Sequence, residues 1–375
     1  MYRRYPLMLC LNKLGFTTMS STEGDNLLGL TREELERFAL VCAQPRYRGR
    51  QLYKGLYGRR EQDFDRLTDL DQTFRAYLAT HHRVVYPSVE GEFVSRDGAV
   101  RYLLGLEDGN MIEAVYMPEA TRTTLCLSSQ VGCAVDCRFC FTALVGLKRN
   151  LTAGEIVGQV LAMARAQRLP LRARLNVVFM GMGEPLLNLG PVMQAVRILA
   201  DPEGMGIPLR RITLSTAGIV PRIYELARDP MRPKLAVSLN ASTEEQRSAL
   251  MPLTRKYPLS ELMRAARSYP LRPRERLTFE YVLLDRINDS DSDAARVAGL
   301  LRGIRSKLNL IPYNPGPELP YRASPLERVL EFQRVLTSRG LSAFVRVSRG
   351  QDVRAACGQL SLAGGAGPPG QRVAG

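Results

Sequence analysis

The sequence predicts an α/β fold in which parallel strands form a barrel or an open sheet behind a small helical region. Three observations predict it. From about residue 120 onward, short β-rich runs alternate with helical patterns of about 10–17 residues, the rhythm of consecutive strand–helix units. The 375 residues suffice for two domains or for one large barrel with an appendage. Glycine or polar residues also gather just past the ends of successive strand-like runs, where parallel α/β folds bind ligands.

Taken in order, residues 1–22 are expected to be a disordered extension. The apolar core of MYRRYPLMLCL is too short for a signal peptide, and no run of about 18 apolar residues marks a membrane span. A cytoplasmic location without membrane attachment follows as an expectation. Residues 23–95 read as a helical accessory domain, with apolar residues at helical spacing in TREELERFAL and in REQDFDRLTDL through FRAYLA. Between them, Arg46, Arg48, Arg50, Lys54, Arg59 and Arg60 alternate with Tyr47, Tyr53 and Tyr57. Basic residues neutralise phosphates and tyrosines stack on bases, so the region is a candidate RNA-binding surface. The competing reading is a solvated helix face with half-buried tyrosines. Residues 96–361 are expected to form the core. SRDG and EDGN mark turns between short strands. The runs TTLCLSS, LNVVFMG, RITLST, LAVSLN, LTFEYVLL, LNLIPYN and AFVRVS then supply the parallel strands, and Thr152 with Glu155 forms a capping box for the first long helix. Residues 362–375, rich in Gly and Pro, are expected to be a disordered tail.

The net charge of +15 suggests an anionic partner, either nucleic acid or an acidic membrane surface. The scarcities are sharper. His81 and His82 are the only histidines and tryptophan is absent, which excludes Ser-His-Asp or Cys-His catalysis elsewhere in the chain. Carboxylates, thiols or a cofactor must carry any chemistry. Of seven cysteines, four crowd into residues 126–140, a pattern of metal binding or thiol chemistry rather than a disulfide framework.

Cys133, Cys137 and Cys140 form C-x3-C-x2-C after the first barrel strand. Three thiolates so spaced hold one iron–sulfur cube and leave one iron open to a small chelating molecule. A zinc knot with Cys126 as fourth ligand is the alternative, but Cys126 lies seven residues before Cys133, outside the usual C-x2–4-C pairing. The motif, with Phe139 before the last cysteine, resembles the radical S-adenosylmethionine (SAM) superfamily. That resemblance implies a [4Fe-4S] cluster on Cys133, Cys137 and Cys140. It also implies a SAM site at Gly183 and Glu184 of GMGEP and at Ser215, Ser238, Leu239, Asn240 and Asn314.

A longer set of motifs is more specific: TLCLSSQVGCAVDCRFC, NVVFMGMGEPLLN, LSTAG and RGQDVRAACGQL. Together they resemble the RlmN/Cfr family of RNA adenine methyltransferases, from about residue 45 to 361. The resemblance implies a partial (β/α)6 barrel and three catalytic residues. Cys357 takes a methyl group from one SAM. A second SAM yields the adenosyl radical that removes hydrogen from that S-methyl group, and the methylene radical adds to adenine. Glu113 takes the ring proton, and Cys126 resolves the protein–RNA adduct through a disulfide with Cys357. Two SAM are used per turnover. Implied partners are 23S rRNA, tRNA and a donor such as flavodoxin, with a monomeric enzyme. The segments CRFCFTA and GLKRNL look closer to the RlmN type, which methylates carbon 2, than to the Cfr type, which methylates carbon 8. Many members have Ser-Leu-His where this chain has Ser238-Leu239-Asn240. Asn hydrogen-bonds but does not titrate, and is expected only to contact SAM. Two other classes stay open: a non-catalytic RNA-binding protein with a structural metal, and a radical enzyme acting on a small molecule or peptide.

Overall fold

The computed structural model describes residues 24–362, so the readings of residues 1–22 and of the tail beyond Leu362 lie outside the described residues. The N-terminal helices start where the sequence supplies caps. Helix α1 (Arg32–Val41) opens on a capping box between Thr31 and Glu34. Helix α2 (Arg46–Tyr53) runs into one π-helical turn at Lys54–Gly58. Helix α3 (Gln72–His81) is capped by Asp71. Their apolar spacing buries Leu35, Phe38, Leu52, Leu56, Phe74 and Leu78 against the main core. Strand β1 (Asp25–Asn26) pairs in parallel with β2 (His82–Arg83) and ties the two ends of this region together.

A ten-stranded sheet follows. Strands β3 (Ser88–Val94), β4 (Val100–Gly105), β5 (Met111–Glu119) and β6 (Arg122–Cys126) form an antiparallel meander. Its SRDG and EDGN turns place Gly98 and Gly109 at positive φ. The sheet thus begins at Ser88, and the boundary between the helical region and the core falls before residue 88 rather than at 95. A short ribbon of β7 (Gln130–Val131) and β8 (Arg149–Asn150) flanks the cysteine loop, which also holds the single-turn α4 (Thr142–Val145).

From β6 the pairing turns parallel. Strands β9 (Leu175–Phe179), β10 (Ile212–Thr216), β11 (Lys234–Ser238), β12 (Leu277–Leu283), β13 (Ser306–Pro312) and β14 (Ala343–Val345) follow in sequence order. Each expected parallel run is a strand. The connecting helices are α5 (Ala153–Ala166), α6 (Leu189–Ala200), α7 (Val220–Arg228), α8 (Glu244–Leu250), α9 (Leu259–Ser268), α10 (Asp291–Leu301) and α11 (Leu326–Ser338). Helix α5 begins at the Thr152–Glu155 capping box. Strands β14 and β3 are the unpaired ends of the sheet, so the barrel is partial. Strand alternation assigns the faces: Phe279 and Tyr281 of β12 are fully buried, and Tyr281 packs 5.3 Å from Phe332 of α11. Thr278, Glu280 and Val282 therefore point into the barrel.

The segment 349–362, after β14, returns to the antiparallel edge and spans the open side. Arg349 donates to the carbonyl of Asp97, Ser95 donates to Asp352 at 2.6 Å, and Arg101 donates to the carbonyl of Val353 at 2.7 Å. Thr142 holds the carbonyl of Leu360 at 2.6 Å. This strap carries Cys357. Among the described residues no helix is long and apolar enough to cross a membrane.

Candidate active site

Why the strand ends become a site is visible first in the backbone. Strand β9 ends in Met180-Gly181-Met182-Gly183, which packs against Leu127–Gln130 just past β6. A Cβ at Gly181 would lie 2.8 Å from the Leu127 backbone. One at Gly183, where φ is +98°, would lie 2.6 Å from Gln130. Only glycine fits, and the close approach aligns the two strand ends beside the cysteine loop.

Cys133, Cys137 and Cys140 of that loop line one cavity with Gly183, Glu184, Ser215, Thr216, Ser238, Asn240, Glu280, Tyr313 and Cys357. Burial pushes all three loop thiols up, Cys133 to about 12. Cys137 is also raised by its neighbours Cys140 and Cys133, so the three are electrostatically coupled. Donors already face them: the Val135 N–H lies 3.5 Å from the Cys133 sulfur, and Thr142 and Ala143 favour the Cys140 thiolate. Arg247 of α8 is fully buried. It donates to the carbonyls of Ala217 at 2.6 Å, Ser238 at 3.1 Å and Leu239 at 3.2 Å, and to Thr254 at 2.8 Å. Among the described residues no carboxylate lies within ion-pair distance of it, and its charge acts on Cys137. Desolvation lowers it to about 10. A buried cation beside three clustered thiols suits a site whose occupied form is anionic. Among the described residues no three His, Cys, Asp or Glu side chains converge as a single-ion site would require. The three-thiol cavity with its donors and Arg247 fits a cluster held by Cys133, Cys137 and Cys140.

The sequence-derived candidates do not all reach the cavity. Gly183, Glu184, Ser215, Ser238 and Asn240 line it. Glu184, desolvated to about 7, accepts from the N–H groups of Leu186 at 3.0 Å and Ala217 at 2.7 Å. Asn240 sits in the left-handed region, φ +54°, a conformation Asn tolerates. Its Oδ1 accepts from the Val282 N–H at 2.9 Å, so it braces β12 as well as facing the cavity. Leu239, by contrast, is a fully buried core side chain with its backbone bonded to Glu280 and Arg247; its side chain is not part of the lining. Asn314 lies behind the strap, donating to the Cys357 carbonyl at 3.2 Å and accepting from Gln351 at 2.6 Å.

Cys357 is exposed and opens onto the cavity, where partial desolvation by the cavity walls and the nearby Glu280 push its thiol up to about 11. Cys126, at the end of β6, lies just behind the lining. Burial and the neighbouring Cys357 push it higher still. Glu113 is fully buried and does not line the cavity. It pairs with Arg101 and accepts from the Ser361 N–H at 2.9 Å and the Leu362 N–H at 3.3 Å. In this conformation it anchors the strap.

Two residues were missed in the sequence. Arg247 carries no motif on its short helix. Glu280 is a lone charge at alternating spacing within LTFEYVLL, and that period-two position was the available signal.

The proposed accessory surface also changes character. Tyr53 and Tyr57 are buried, and Tyr57 donates to the Leu30 carbonyl at 2.9 Å. Of the three tyrosines only Tyr47 is exposed. Arg46 pairs with Glu36, Arg48 with Asp71 and Arg59 with Asp69. Arg50 and Lys54 reach Glu203 of the core, joined by Arg32 of α1. Most of this alternation is packing and docking.

A partial parallel barrel with C-x3-C-x2-C after its first parallel strand and a glycine-rich turn after the second defines a radical SAM protein. Residues 127–298 match the radical SAM superfamily, and residues 25–84 match the ribosomal RNA large subunit methyltransferase N-terminal domain. A probable dual-specificity RNA methyltransferase RlmN from Koribacter versatilis is 50% identical over 84% of this chain and 96% of its own length. The dual-specificity RNA methyltransferase RlmN of Anaeromyxobacter sp. is 47% identical over 92% of each chain. The crystal structure of a radical SAM methyltransferase from Sphaerobacter thermophilus is 48% identical, covers 89% of this chain and 98% of that one, and superposes with a TM-score of 0.85. The chain belongs to the RlmN family of radical SAM RNA methyltransferases.

Proposed function

We propose that the chain methylates carbon 2 of an adenine in 23S rRNA and of an adenine in tRNA, using a methyl group carried on Cys357. One observation carries this reading: the strap delivers Cys357 into the cavity lined by Cys133, Cys137 and Cys140, within electrostatic reach of Cys126. A structural metal site gives no reason for that second pair of thiols. The dual specificity named in the relatives supports two kinds of RNA, and the matched N-terminal domain supports large-subunit rRNA as one of them.

Cys133, Cys137 and Cys140 would hold the [4Fe-4S] cluster, and Gly183, Glu184, Ser215, Ser238 and Asn240 would hold SAM. Bound together, these supply the methyl group and a hydrogen-abstracting radical, with two SAM used per turnover. The protein's own residues do the rest. The Cys357 thiol loses its proton and displaces the methyl group from the sulfonium, forming a thioether. After one hydrogen is removed from that methyl group, its carbon bonds to C2 of the base. One electron leaves the ring, for which the cluster that Cys133, Cys137 and Cys140 would hold is the acceptor, and the C2 proton passes to a carboxylate. Glu113 can accept that proton only when the strap shifts and frees it from Arg101, Ser361 and Leu362. The Cys126 thiolate then attacks the Cys357 sulfur. An S–S bond forms, the S–CH2 bond breaks, and the released electron pair takes up a proton to complete the methyl group. Two electrons from a reductant, a flavodoxin-type donor for a monomeric enzyme, reopen the disulfide. Burial keeps the Cys126 thiol protonated at rest, which slows premature disulfide formation.

Nucleoside mass spectrometry tests the reading. Reconstituted enzyme acts anaerobically on unmodified rRNA and tRNA with methyl-deuterated SAM. The expected product is 2-methyladenosine carrying two deuteriums. Three deuteriums would refute the methylene route, 8-methyladenosine would refute the carbon assignment, and no methylated adenine from cluster-loaded protein would refute the activity.

A further inference from the structure

Two carboxylates line the cavity, Glu184 and Glu280. Those of Glu184 are taken by backbone N–H groups, whereas Glu280 has a single weak contact, from Asn309 Nδ2 at 3.5 Å. The mechanism above leaves Glu280 unused. It points inward from β12, half-buried, with Ser238 of β11 and Asn309 of β13 as its register partners. It lies one inward position deeper than Val282, whose N–H is held by Asn240. It shares the cavity with Cys357 and acts electrostatically on both Cys357 and Cys126, the two thiols assigned above to the base.

The surroundings select the ligand. Lys307 precedes Asn309 on the same inward face, and Lys234 precedes Ser238 likewise. Arg346 follows β14 and acts electrostatically on both Glu280 and Lys307. Among the described residues none of these three cations has a carboxylate within ion-pair distance. Lys307 and Arg346 act on Glu280 from outside the cavity lining, where they can attract the phosphate of a nucleotide whose base meets the carboxyl.

We infer that Glu280 holds the target base, its carboxyl group pairing with the N1–N6 edge of adenine so that C2, the ring atom next to N1, faces Cys357. The inference rests on the methyltransferase reading of this cavity. A neutral carboxyl group has one donor for N1 and one acceptor for the N6 amino group. Burial favours that neutral form. The bond to N1 also strengthens as addition at C2 shifts electron density onto the ring, so it acts in the transition state as well as in binding.

The test compares methylation of short RNAs with adenosine or 1-deazaadenosine at the target position. Glu280→Ala should lose roughly ten- to a hundredfold in kcat/KM on the adenosine RNA, the range of one bidentate base contact. Glu280→Gln, whose amide offers the same donor and acceptor, should stay within about threefold. Wild type should lose a comparable factor on the 1-deazaadenosine RNA, and Glu280→Ala should lose nothing further on it. Equal collapse of the Gln and Ala variants would make Glu280 a proton carrier and overturn the inference. Unchanged turnover by the Ala variant, or wild type indifferent to loss of N1, would overturn it too; the second needs no variant to fold. Wild-type methylation of the adenosine RNA in the same assay verifies the underlying reaction separately.

Discussion

The N-terminal helices and the barrel lumen are both rich in cations, yet their charges meet opposite fates. Arg46, Arg48, Arg50, Lys54 and Arg59 each find a carboxylate, and Glu203 alone collects Arg50, Lys54 and Arg32. On the barrel strands and just past them, Lys234, Lys307 and Arg346 have no such partner among the described residues, and burial followed by the neighbouring Arg346 and Lys234 lowers the Lys307 ammonium. Paired surface charges contribute docking and little else. Unpaired charges repel each other until an anion arrives, so under the proposed function they are the expected partners of RNA phosphates. The chain's +15 is therefore a poor guide to its binding face; the unpaired residue is the guide.

The comparison breaks outright if the lumen is inert. Cys357→Ala should abolish turnover and leave no labelled methyl group on the protein after incubation with methyl-labelled SAM; label retained on that variant would remove Cys357 from the mechanism. Cys126→Ala should still load the methyl group and then accumulate a protein–RNA crosslink visible on a denaturing gel. Clean turnover by this variant would leave Cys126 without a role.

A second test concerns the strap that closes the lumen. Glu113→Gln leaves the Arg101 guanidinium, itself only 5% exposed, without a counter-charge. Breaking a buried pair from one side costs about 3–5 kcal/mol, so a clear drop in the urea midpoint is expected. Pairing it with Arg101→Met should recover most of the loss. Near-wild-type stability with no turnover would instead place Glu113 in the chemistry itself.

Glu113 also shows what the sequence could and could not convey. Local grammar was legible: the Thr31 and Thr152 capping boxes, the two glycine turns of the meander and all the parallel strands follow from short-range chemistry. So were residues whose spacing is itself the function, the three loop cysteines. Long-range partners were not. Nothing around Glu113 indicates that Arg101 and the backbone of Ser361 occupy it, and nothing in SLN shows that Leu239 turns into the core while Asn240 bonds Val282 across to β12. Glu280 hid for a related reason: in an isolated strand an inward carboxylate and an outward one look alike until the other strands fix the faces.

The cation contrast can be measured on RNA. Lys307→Gln and Arg346→Gln should each weaken binding severalfold and reduce the slope of log affinity against log salt by roughly one. Arg50→Gln, whose charge is already spent on Glu203, should leave that slope unchanged. An Arg50 effect equal to that of Lys307 would erase the distinction drawn between the two regions.

The smallest effect belongs to Glu203, where Arg50, Lys54 and Arg32 hold the carboxyl near 2, well below its ordinary value of 4.5. A depressed folded-state value adds stability that is present above the unfolded value and is lost as the pH falls through the folded one. The contribution should therefore be whole above about pH 5 and fade toward pH 2. Solvent screens this surface knot, so the total is expected to be about 1 kcal/mol or less. Glu203→Gln should shift the urea midpoint slightly at pH 7, and the gap from wild type should close as the pH is lowered. Added salt should narrow that gap at neutral pH as well. A gap that persists at pH 2 and in high salt would mean that Glu203 acts through packing, and that the helical region docks on shape rather than on charge.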